Sequence, residues 1–134
     1  MKFNALVPEL SVSNIQNSKH FYLDILGFSL EYERIEDKFA FISLGDAQIM
    51  IEEINGHWNT AKLEYPFGRG INFQILIQDI DTLYQRLKAS NVKLFRDIIT
   101  NNYKVNDDVV IEKEILLQDP DGYLLRFSEF VVQK

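Results

Sequence analysis

The sequence predicts an α+β protein made of tandem βαβββ modules. Two features of the chain carry that expectation. A strand, a helix and three further strands follow one another twice along its 134 residues. Sliding one half over the other aligns Val12-Ser13-Asn14-Ile15 with Ile77-Gln78-Asp79-Ile80, and the "GD" turn before residue 47 with the "DPDG" turn before residue 123. Such self-similarity, with a period of about 60 residues, marks a duplication. One domain spans 1–134, with a first module at 1–54, a linker at 55–69 and a second module at 70–134. A chain of this size, 46% hydrophobic and 13% aromatic, is long enough for one well-packed domain and too short for two large ones.

In chain order, "FNALVPELSV" (3–12) is an extended run whose Pro8 points to an edge or bulge. "SNIQ" (13–16) fits a capping box, Ser13 with Gln16, opening a helix over about 14–26. Ile15, Tyr22, Ile25 and Leu26 recur on that helix at helical spacing, and Gly27 stands where it should end. Short extended stretches follow at 28–35, 39–45 and 47–54, separated by the turn-type breaks "EDK" and "GD". The second module repeats the order: a strand at 70–77, a helix from Asp79 to about 90, and strands at 92–99, 109–118 and 122–130. "NNYKVNDD" (101–108) reads as a polar loop.

Composition excludes several chemistries. With no cysteine, the chain has no disulfide, zinc-thiolate site, thiol nucleophile or iron–sulfur cluster. A formal charge of −6 disfavours nucleic acid, whose phosphates need a basic partner, and suits a cationic ligand. No signal-peptide pattern and no apolar run near 18 residues is present, so the expectation is a cytoplasmic protein without a membrane partner. Neither of the two histidines stands near a nucleophile motif, which argues against a hydrolase; His20 beside Lys19 reads as solvated or as a dimer contact. "GRG" (68–70) precedes a strand instead of a helix and is no phosphate loop.

The twofold βαβββ order, with "FYLDILGF" (21–28) closing the first helix and "DPDGYLLRF" (119–127) opening the last strand, resembles the vicinal oxygen chelate superfamily of glyoxalases, extradiol dioxygenases and bleomycin-resistance proteins. The resemblance implies half-barrel sheets around a cleft, and a homodimer. Strand alternation then divides the side chains. Phe73, Ile75 and Ile77 face the helices, as do Ile49, Ile51, Leu125 and Phe127; Asn72, Gln74, Glu9, Met50, Glu52 and Arg126 face the cleft. Phe39, Phe41 and the loop residues His57 and Trp58 add aromatic surface.

Metal-dependent members of the family hold their ion with His and Glu at four related positions, which map here to Val7, Met50, Asn72 and Arg126. Three of these are not ordinary ligands for a divalent cation, Asn72 has only a weak amide oxygen, and Arg126 repels the ion. The expectation is therefore no metal, no other cofactor and no catalytic residue. The bleomycin-resistance members resemble this chain best, because they too lack the ligands and sequester a large cationic, flat-ringed drug. The expected partner is a small bleomycin-like molecule, stacked on aromatic rings and met by carboxylates. Two alternatives stay open: a divergent glyoxalase- or dioxygenase-type metalloenzyme with a displaced site at Glu9, Glu52 and Gln74, and a binding protein for an unknown metabolite. Glu9, Glu52 and Trp58 also have purely structural readings, as a surface charge, an edge-strand charge and a loop anchor.

Overall fold

The structure, a computed structural model, describes residues 1–133. It holds two four-stranded mixed sheets and little helix. The chain divides into two compact units, the first made of 1–67 with 120–122, the second of 68–119 with 123–133.

In the first unit, β1 (Glu9–Val12) leads into α1 (Ile15–Lys19), then β2 (Ser29–Arg34), β3 (Phe39–Leu44) and β4 (Ala47–Glu53). The sheet order is β1-β4-β3-β2, with β1 parallel to β4 and the other pairs antiparallel. The extended run is shorter than the sequence suggests, since residues 3–8 form no strand. The cap also differs: Asn14, with extended backbone, is the N-cap, and its side chain accepts the Asn17 N–H. Asn is as good a cap as Ser. After α1 the chain keeps turning through His20–Ile25 with the wider π-type spacing, Leu26 N donating to Phe21 O at 2.9 Å. That extra residue per turn brings both Phe21 and Tyr22 into the core, where the Tyr22 ring meets Phe21 and Phe28 edge to face. Leu10, Ile42, Ile49 and Ile51 form the sheet side of this core.

In the second unit, β5 (Asn72–Leu76), α2 (Ile80–Ala89), β6 (Leu94–Val105), β7 (Asp108–Gln118) and β8 (Leu124–Gln133) repeat the pattern, in the order β5-β8-β7-β6. Asp79 caps α2 as the sequence predicts, accepting from Thr82 N at 3.1 Å. Ile80, Leu83 and Leu87 lie on one stripe of α2 and are buried, as are Ile75, Ile115, Leu117, Leu125 and Phe127. The segment 101–108 is not a loop. Asn101 to Val105 continue β6, and Val105 pairs with Asp108 across a two-residue turn in which Asn106 takes φ +57°. Asn tolerates that left-handed backbone, so "ND" here turns a hairpin and the flanking polar residues are strand.

Candidate functional site

Cross-strand register fixes which side chains share a face. In the first unit Glu9 lies beside Met50, Met50 beside Phe41, and Glu52 beside Phe39, so all five occupy the face away from the helices. Phe39 and Phe41 are covered there. The Arg34 guanidinium sits 4.0 Å over the Phe39 ring, Tyr32 stacks on Phe41 at 5.3 Å, and Phe3 meets Phe41 edge-on. They form the floor of the face and offer little free surface, which corrects their expected role as open stacking rings.

At the end of this sheet opens a cleft of about 550 Å³ lined by Glu9, Arg34, Glu36, Asp37, Lys38, Glu52, Glu53, Ile54, Asn55, His57 and Trp58. Of its five carboxylates, Asp37 is paired with Arg34 at 3.1 Å and Glu53 with Lys38 at 2.9 Å. Arg34 and Lys38 are thus each paired with one carboxylate, and Glu9, Glu36 and Glu52 remain to meet a cation from outside. Burial pushes the Glu9 carboxyl above its ordinary pKa, and the neighbouring charge of Glu52 raises it further, against smaller opposing effects of Arg34 and His57. Asn55 organises the mouth: its side-chain amide donates to Glu52 Oε1 at 3.1 Å while its Oδ1 accepts the His57 N–H at 2.8 Å. Trp58 is 61% exposed, with its ring 5.1 Å from that of His57. Arg34, Lys38 and Asn55 were not among the sequence candidates; nothing in turn or loop composition singles them out.

Asn72, Gln74 and Arg126 lie in the second unit, within a polar network on one face of its sheet. Arg126 donates Nε and Nη2 to Glu114 Oε2 at 3.1 and 2.8 Å, and Nη1 to Asn72 Oδ1 at 3.3 Å. Ser128 Oγ donates to the same Glu114 oxygen. Gln74 Nε2 reaches Glu112 Oε2 and Ser128 Oγ, both at 3.2 Å, and Tyr103 OH donates to Glu112 Oε1 at 3.0 Å. Burial raises the Glu112 pKa, but hydrogen bonds with Glu114, Tyr103, Ser128 and Asn101 outweigh it and hold the group below its ordinary value. Glu112 and Glu114, the anchors of this network, were missed. Their spacing of two on β7 was the available signal, since it puts both on one face.

Val7, Met50, Asn72 and Arg126 do not fit a divalent metal. Val7 has no donor, the Met50 thioether is a poor one, and the Arg126 guanidinium is already ion-paired. Among the described residues, no three His, Cys, Asp or Glu side chains gather as a metal site would need. Glu9 and Glu52 share the first unit's cleft, whereas Gln74 belongs to the second unit's network.

Sheet order and strand polarity, the same in both units, define an α+β protein of paired βαβββ modules. The chain belongs to the Glyoxalase/Bleomycin resistance protein/Dioxygenase superfamily, whose model matches residues 3–127. It is 28% identical over 132 residues to a bleomycin resistance protein from Geobacillus stearothermophilus, covering 92% of this chain and 94% of that one. It is also 28% identical over 126 residues to a probable lactoylglutathione lyase from a Synechocystis species, at 90% coverage of each. Among solved structures, TioX from Micromonospora sp. ML1 superposes with a TM-score of 0.74 at 15% identity, over 96% of this chain and 100% of that one. A superfamily member from Alicyclobacillus acidocaldarius gives 0.67 at 19% identity, over 95% and 91%. At these identities the two structures speak for the fold alone. No described helix is long and apolar enough to cross a membrane.

Proposed function

We propose that this protein binds and sequesters a cationic, planar-ringed small molecule of the bleomycin type, without a metal and without catalysis. The supporting observation is the first unit's cleft, in which Glu9, Glu36 and Glu52 are left for an external cation beside the exposed rings of His57 and Trp58. Carboxylates attract the ligand's charge and the indole stacks on its ring, which needs neither base nor nucleophile. The likeness to a protein named for bleomycin resistance supports the same reading. A cytoplasmic homodimer is part of the proposal.

Trp58 is the single tryptophan, so its fluorescence reports on this cleft alone. Titration with metal-free bleomycin is expected to change that signal to saturation. A flat response, with Trp58 still quenchable by small solutes, would reject the reading. The relative named a probable lactoylglutathione lyase favours a second reading, a metalloenzyme with displaced ligands. Nickel, zinc, iron or manganese retained through purification, and lost in Glu9→Gln or Glu52→Gln, would move the weight there.

A further inference from the structure

Two cavities of the first unit share a wall. Beside the acidic cleft, a second hollow of about 380 Å³ lies along α1, with Ile15, Lys19, Glu33, Ile35 and Phe39 in its lining. Lys38 and Glu53 line both cavities, so their ion pair stands where the two meet. The two partners are not equally fixed. Glu53 Oε1 accepts the Ile15 N–H at 3.1 Å, which anchors the carboxylate while its other oxygen, Oε2, faces Lys38. Lys38 ends the β2–β3 turn at φ +52°, a backbone region that lysine rarely adopts, and its side chain is 59% exposed. An exposed lysine held by one carboxylate is readily replaced by another cation. At the far side, Lys19 and Glu33 neutralise each other at 2.8 Å, while the exposed Ile35 supplies apolar wall.

We infer that the second cavity is a subsite for an alkylammonium tail of the ligand whose ring occupies the acidic cleft, and that Lys38 is the internal competitor this tail displaces from Glu53. The inference rests on the proposed function. It deepens that reading by naming a second charge on the ligand and the route it takes. The chemistry of the tail follows from its stand-in: a lysine side chain is a primary ammonium on a flexible four-carbon stem, and the methylenes of a similar tail would lie against Ile35.

Two probes separate the sites. Benzylamine has a ring and one ammonium; N-benzyl-1,4-diaminobutane adds a second ammonium on a four-carbon chain. Both are titrated into the wild-type protein, Lys38→Met and Lys38→Met/Glu53→Gln, following Trp58 fluorescence and the Ile15 and Glu53 amide resonances. Removing the competitor should raise the preference for the diamine over the monoamine about fivefold, the scale of one exposed ion pair. Glu53→Gln, which keeps the acceptor for Ile15 N–H, should abolish that gain. An unchanged preference in Lys38→Met would overturn the inference, as would diamine-induced shifts confined to the acidic cleft. If neither probe moves the Trp58 signal, the proposed function fails instead, and the Ile15 and Glu53 amides of Lys38→Met still report whether the second cavity takes the diamine.

Discussion

Arg126 stands near the start of β8, where Glu114, diagonally across on β7, pairs with it at 2.8 Å. The pair is only partly open to water, 31% and 9% exposed at the side chains, and Asn72 and Ser128 complete its hydrogen bonds. Arg126→Leu strands a nearly buried carboxylate and should cost about 3 kcal/mol of unfolding free energy in urea titrations. At the cleft, Trp58→Ala should weaken a planar cation by about 1 kcal/mol or more and leave stability nearly unchanged, because the indole is exposed. Glu9 sets the pH dependence. Its folded pKa is raised, so its contribution to stability is present below the ordinary carboxylate value and lost as pH rises through the folded one. A cation bound beside Glu9 favours the ionised form, so binding should release protons across that window and tighten as pH rises. Calorimetry in buffers of different ionisation enthalpy would detect this, and Glu9→Gln should remove it. Alternation along the strands was enough to place Glu9, Glu52, Gln74 and Arg126 on their faces. Glu114 stayed hidden because a glutamate flanked by Lys113 looks like an ordinary solvated strand residue.

At the scale of elements, turns carry more information than strand ends. The long β6–β7 hairpin depends on Asn106 at φ +57°. Asn106→Val should destabilise by about 1–2 kcal/mol, while Asn106→Gly should stay within about 0.5 kcal/mol of the parent, as thermal melts would show. Gly122, in the "DPDG" turn, has φ +95°, and a Cβ there would come within 2.6 Å of the Pro66 backbone. Gly122→Ala should therefore lower stability by about 2 kcal/mol or more, combining a clash with a disfavoured backbone. Both helices, all eight strands and the "GD" and "EDK" turns were legible from periodicity and punctuation. Segment 101–108 was not, because Asn101, Asn102 and Lys104 are polar on a strand with open faces, where burial imposes no pattern. Likewise Ser13-Asn14 offers two adjacent capping residues, and only the backbone shows which one is used.

For the whole molecule, charge and fold act at different ranges. A net charge of −6 draws cations from a distance, and the cleft's carboxylates hold them at contact. Affinity for a cationic ligand should therefore fall between 0.05 and 0.5 M salt by roughly tenfold, as long-range attraction is screened. The family itself was readable in the βαβββ order and the "DPDGYLLRF" motif, whereas the cleft was readable only in part. It is completed by Arg34, Lys38 and Asn55, whose neighbours are set by tertiary folding. The most direct test is calorimetric titration of chelator-treated protein with metal-free bleomycin, in parallel with Glu9→Gln/Glu52→Gln. The account predicts saturable binding near one drug per chain, in roughly the micromolar range or tighter, weakened about tenfold or more in the double variant. No saturable heat from the parent protein, or equal affinity in parent and variant, would contradict it.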